Sequence, residues 1–133
     1  MGAQTSYSNT PKSIITESDN IVIVNYIDGI RGGKSLDVSG YNLDVIKAGH
    51  VIIRDTSTDT YKPMPLTATD DTYDSLPANH EYVGILAAST PKDRPAVAIL
   101  TFGVVNHKAT PYPYDSIFTA LKSALPQVQF LAD

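Results

Sequence analysis

The stretch from Gly84 to Asp133 leaves few folds open. It opens on the end of an apolar strand, Tyr82 to Ala88, and turns through Thr90 to Pro95. Ala96 to Val105 follows as a longer strand, and the pair reads as a hairpin. That second run contains Thr101 and is about half of the roughly 20 residues a membrane helix needs. Asn106 to Pro113 is a link. Beyond it Ile117, Phe118, Leu121, Ala124 and Leu125 recur at helical spacing, so one short amphipathic helix is expected. Asp115 or Ser116 is placed to cap it through a side-chain oxygen, and Pro126 stops it. Gln127 to Leu131 then alternates, with Val128 and Phe130 on one face, as a half-buried strand does.

The rest of the chain continues the same theme. Ile21 to Ile27 is β-branched and apolar at most positions, which predicts a strand buried on both faces. Asp28-Gly29 ends it, and Gly32-Gly33 supplies further turn chemistry. Between Leu36 and Ile46 the expected buried positions are Leu36, Val38, Leu43, Val45 and Ile46. His50 to Asp55 is a strand, Thr56 to Asp59 a polar tip, and Thr60 to Leu66 the returning strand. Pro63 and Pro65 cannot donate to a ladder, which confines that strand to an edge. Thr67 to Asn79 is a polar loop.

Residues 1 to 20 differ in kind. They are rich in Ser, Thr, Asn and Gln, and their bulky apolar residues are Tyr7, Ile14 and Ile15. Too little surface can be buried there to offset the ordering entropy, so an extended N-terminal arm is expected. Gly2 and Ser6 fit an N-myristoylation pattern that also arises by chance. The organisation expected is an arm over 1–20 and one β-rich domain over 21–133. The fold class is mainly β, a β-rich α+β chain of hairpins forming a compact β-barrel or β-sandwich-like domain with one short C-terminal helix.

Composition removes several functions. A chain of 133 residues with net charge −4 lacks the clustered Lys and Arg of a nucleic-acid binder. With no cysteine it has neither disulfides nor a thiolate metal site. No stretch is long enough to span a membrane as a helix.

Catalytic patterns are missing as well. His50, His80 and His107 stand far apart and fit no HxH or HExxH spacing. Each lies at the end of a strand, where a partly exposed imidazole is ordinary. The acidic loop from Asp70 to Glu81 has a Glu at the twelfth position but Ser75 where a calcium loop needs Gly. No G-x-S-x-G, S-x-x-K or G-x-G-x-x-G occurs. The expectation is a non-catalytic chain without cofactor or metal. A small hydrolase would require two of the three histidines to meet in a pocket.

A set of residues brings a family into view. Ala48-Gly49-His50-Val51-Ile52, Tyr61-Lys62-Pro63-Met64 and Tyr82-Val83-Gly84-Ile85-Leu86 come first. Ala98 to Asn106 follows, with its Gly103-Val104-Val105-Asn106 step. Pro111-Tyr112-Pro113, the helix through Ala120-Leu121-Lys122 and the closing Ala124-Leu125-Pro126-Gln127-Val128-Gln129-Phe130 complete the set. In this order the chain, over about residues 43 to 133, resembles the tailed-phage head decoration proteins, auxiliary capsid proteins of the lambda head decoration type. The resemblance implies a structural virion protein on the outer capsid surface, made in the bacterial cytoplasm. There it would bind the major capsid protein, stabilise contacts between capsid subunits, and associate with itself as a trimer. An arm that adds a strand to the shell would bind through Tyr7, Ile14 and Ile15. The alternative is a head-fibre base or a host- or glycan-binding module, with Tyr61, Tyr73, Tyr112 and Tyr114 exposed to stack on sugars.

Overall fold

The computed structural model describes residues 19–30 and 33–132, and the chain is mainly β. Its elements are α1 (Asp19–Val22), β1 (Ile23–Gly29), β2 (Lys34–Ser35), β3 (Val45–Ile46), β4 (Val51–Asp55) and β5 (Thr60–Pro63). After them come β6 (His80–Leu86), β7 (Thr90–Pro91), β8 (Ala96–Val97), β9 (Ile99–Asn106), α2 (Phe118–Ala124) and β10 (Val128–Leu131). A six-stranded sheet carries the fold, ordered β1-β9-β6-β4-β5, with β10 joined to β9. Strands β2 and β8 form one small antiparallel ladder, and β3 and β7 another.

Alternation along the central strands explains their continuous apolar runs. Val51 and Ile53 point into one cluster and Ile52 into the other. Ile85 and Leu86 divide the same way, as do Leu100 and Ile99. Each strand therefore feeds two cores, one on each face, so no polar face interrupts the pattern. The first core is closed by Tyr114, Ile117, Leu121 and Leu125, the last two on the inner stripe of α2 and just past its end. The second is closed by Leu36, Tyr41, Ile46 and Val97.

Strand β9 is the hub. It pairs antiparallel with β1, with Ile23 opposite Val105 and Gly29 opposite Leu100. On its other side it meets β6 through Ile85–Leu100 and Leu86–Ile99, and then β10, in parallel, from Val128–Gly103 to Leu131–Asn106. Strand β6 crosses β9 so closely at Gly84 that a Cβ there would lie 2.5 Å from the Leu100 carbonyl oxygen. Only glycine fits that approach.

Several expectations are corrected. The run Ile21–Ile27 is not a buried strand. Its first two residues close α1, because the Asp19 carboxylate accepts from the Ser89 amide at 2.9 Å and its hydroxyl at 2.7 Å, and Val22 packs on Gly49. The remainder forms β1 at the outer edge of the sheet, where Ile23 still packs against the first core but positions 24 to 28 are all exposed. The second hairpin is shorter than expected. Only the end of β6 pairs with the start of β9, because β7 and β8 turn away to pair with β3 and β2. Leu43 is exposed, and Tyr41 takes the buried place in its segment. Neither Asp115 nor Ser116 caps α2. The helix begins at Phe118, where Ile117 precedes it without a side-chain cap, and the Ser116 hydroxyl donates to the Tyr73 carbonyl at 3.3 Å. Burial of Tyr114 and Ile117, linked by a backbone bond of 2.9 Å, sets that start.

Candidate binding surface

The interior contains an imidazole ringed by phenols. His50 starts the descent into β4 and is wholly buried, not the partly exposed strand-end residue its position suggests. Tyr73, Tyr41 and Tyr112 surround it edge-on, with ring centroids 5.3 to 5.6 Å away. Its Nε2 lies 2.9 Å from the Met64 carbonyl oxygen. A carbonyl can only accept, so Nε2 carries the proton and Nδ1 is bare, and Nδ1 has no protein partner. Desolvation holds the imidazole down to a pKa of about 4, against a smaller upward pull from the Met64 bond.

The neighbouring tyrosines act as struts. Tyr73 accepts the Val51 amide at 3.1 Å, and Tyr114 donates to the Gly49 carbonyl at 2.5 Å. Burial pushes both phenols well above their ordinary pKa, so each keeps its proton. Gly49 has φ of +94°, a left-handed conformation that suits glycine, and Tyr114 clamps it there. Tyr73→Phe is expected to leave the Val51 amide unsatisfied and lower stability by about 1–3 kcal/mol, read as a shift in the urea midpoint at constant slope.

The three histidines do not meet. His107 packs on Phe118, with centroids 4.7 Å apart. His80 bonds the Ala78 carbonyl through Nδ1 at 2.8 Å and places Nε2 3.9 Å from Asp55. Among the described residues no group of three or more His, Asp or Glu side chains could hold a metal ion. The Asp70 loop instead closes on itself, with the Thr67 and Thr69 hydroxyls donating to Asp71. In the hairpin tip, Asp55 accepts from the Ser57 and Thr58 amides, which holds its carboxyl below the usual range.

Two surface features remain. A cavity of about 260 Å³ lies beside Tyr41, lined among others by Asp37, Lys62, Pro65, Leu66 and Asp70. The second feature is an apolar edge. Ile21 is 57 % exposed, Val24 49 %, Tyr26 47 % and Ile27 52 %, and Phe102, opposite Asp28 on β9, is 40 % exposed.

Comparison with protein-family models, with curated proteins and with solved structures returned no match. The surface must therefore be read from its own chemistry. The expected contact residues Tyr7, Ile14 and Ile15, and Gly2, lie outside the described residues. Of the four tyrosines expected to be exposed, Tyr73 and Tyr114 are buried as struts, and Tyr61 and Tyr112 are half-buried. Tyr61 also has the Lys34 ammonium 5.2 Å above its ring. A sugar-stacking platform of all four is not present. Sequence reasoning missed the Ile21–Ile27 edge as a surface. The absence of any Lys, Arg or Pro from that run was the signal that could have found it, since edge strands commonly carry Lys or Pro to discourage pairing.

Proposed function

We propose that this protein is a structural component of a tailed-phage head. It binds the outer surface of the shell and stabilises contacts between neighbouring major capsid subunits. The observation that carries this reading is the order of parts. Strands β4, β5, β6 and β9, the Gly103-to-Asn106 step, the short helix α2 and the Leu125-Pro126 entry to β10 follow one another as the resembled family's parts do. The interior supports a scaffold role, because its buried polar groups are spent on holding backbone. Asp19 is fixed to the domain by two bonds from its carboxylate to Ser89. From there the arm reaches the shell, and Tyr7, Ile14 and Ile15 provide its apolar contacts.

Co-sedimentation with purified phage capsids tests the reading. Binding is expected for the full chain. Ile14→Asp and Ile15→Asp are each expected to weaken it by about tenfold or more, the equivalent of one apolar side chain left unburied. Failure to bind capsids, together with absence of the protein from purified virions, would overturn it.

A further inference from the structure

The β1 edge is unlike the rest of the described surface. Six large apolar side chains are exposed among the described residues. Four of them, Ile21, Val24, Tyr26 and Ile27, fall within seven consecutive positions, and Phe102 adjoins them through its register with Asp28. Only Leu43 lies elsewhere in the chain. Single exposed leucines or valines are ordinary on any protein, whereas a contiguous group is not.

The backbone of this edge is open too. One side of β1 is paired with β9, and β1 ends the strand order, so its other side has no strand partner among the described residues. The register with β9 shifts between Ile23 and Asn25 and again between Tyr26 and Asp28. Val24 and Ile27 are the extra residues at these bulges, and β9 does not oppose them. Bulges bend an edge and partly discourage pairing, but here they leave the two aliphatic side chains standing out.

We propose that the β1 edge is a self-association surface, and that two copies of this chain join across a two-fold axis by antiparallel pairing of β1 with β1. Charge favours this occupant. Asp28 is the sole charged residue of the strand. A register centred on Tyr26 sets Val24 opposite Asp28 and Asn25 opposite Ile27, so the two carboxylates never face each other. Area favours it as well. Five large side chains of roughly 200 Å² each, about half exposed, offer about 500 Å² per copy. Two copies would bury up to about 1,000 Å² with the patch fully covered, at the lower bound for a specific interface. An isologous seam uses the same patch on both copies, with Tyr26 facing its own counterpart at the axis.

This goes beyond the capsid reading, which leaves β1 unused, and it differs from the three-fold association that the resemblance implies. Sedimentation equilibrium of the full chain is expected to show a monomer–dimer equilibrium built on the 14.3 kDa protomer. Amide hydrogen exchange over Ile23–Gly29 is expected to slow as concentration rises. Val24→Asp sets a carboxylate opposite Asp28 of the other copy, and Ile27→Lys sets an unpaired ammonium opposite Asn25. Both lie at exposed positions that should leave the fold intact by circular dichroism, and each is expected to raise the dimer dissociation constant about 100-fold. A chain that stays monomeric at several hundred micromolar would overturn the proposal. So would a dimer or trimer whose stability ignores both substitutions.

Discussion

Ending the chain at Val128 is expected to cost about 3–5 kcal/mol, a large part of the 5–15 kcal/mol that stabilises an ordinary domain. Residues 129–131 carry most of β10. Their removal takes away the pairing of Gln129, Phe130 and Leu131 with Val104, Val105 and Asn106. The bond from the His107 amide to the Leu131 carbonyl, 2.9 Å long, goes with them. The larger loss is Phe130. Its ring meets Phe118 edge-to-face at 5.4 Å and Tyr114 at 5.8 Å, so it braces both α2 and the strut that clamps Gly49. Urea unfolding of the shortened chain is expected to show a much lower midpoint. Removing only Ala132 and Asp133, beyond the last strand residue, is expected to change stability by no more than about 0.5 kcal/mol. Equal midpoints for the shortened and full chains would refute the role given to β10.

Acid is expected to be the second large lever, acting through His50. In the folded protein its pKa is about 4, and in the unfolded chain about 6.5. Above 6.5 the ring is neutral in both states and contributes nothing to the pH dependence. Between 6.5 and 4 the unfolded chain binds a proton that the folded protein does not, so unfolding is favoured as pH falls. The loss over the whole window is about 3 kcal/mol, and below pH 4 it levels off because both states are protonated. The physical cause is desolvation of a wholly buried ring packed among Tyr41, Tyr73 and Tyr112. Measuring unfolding free energy at half-unit steps from pH 7.5 to 4 reads this slope. His50→Gln keeps an N–H donor for the Met64 carbonyl but cannot titrate. Its stability is expected to fall less steeply across the same window, whatever its value at pH 7. An identical slope in the variant would exclude His50 as the source.

These two residues show where sequence is informative and where it is silent. Val128 and Phe130 alternate with polar neighbours after a helix-stopping proline, so the closing strand could be read from the chain alone. The β4–β5 hairpin was equally readable, because β-branched residues flank a tip of Asp, Ser and Thr. The surroundings of His50 were not readable. Tyr41, Tyr73 and Tyr112 reach it from three separate segments, and no local spacing records that convergence. Tyr73 and Tyr114 look like exposed loop tyrosines until their hydroxyls are found bonded to Val51 and Gly49. The ladders β2–β8 and β3–β7 have two residues per strand, too few for any periodicity to appear. Ile21–Ile27 was misread for another reason. A run apolar at most positions fits a central strand or an edge that meets something else, and only the sheet order separates the two. As for the site, the named contacts Tyr7, Ile14 and Ile15 came from composition, whereas the exposed edge needed the fold.

The Asp19–Ser89 clamp has a mechanical consequence. Strand β1 is held to the sheet along one side, and a pull along the chain from its N-terminal end would peel such a strand one bond at a time. Tension arriving from residues before Asp19 first meets two hydrogen bonds to the turn after β6, and Val22 lodged against Gly49. The load is thereby diverted past the edge strand to the turn that follows β6, a strand in the middle of the sheet. Under such a pull, β1 would remain seated until that clamp failed.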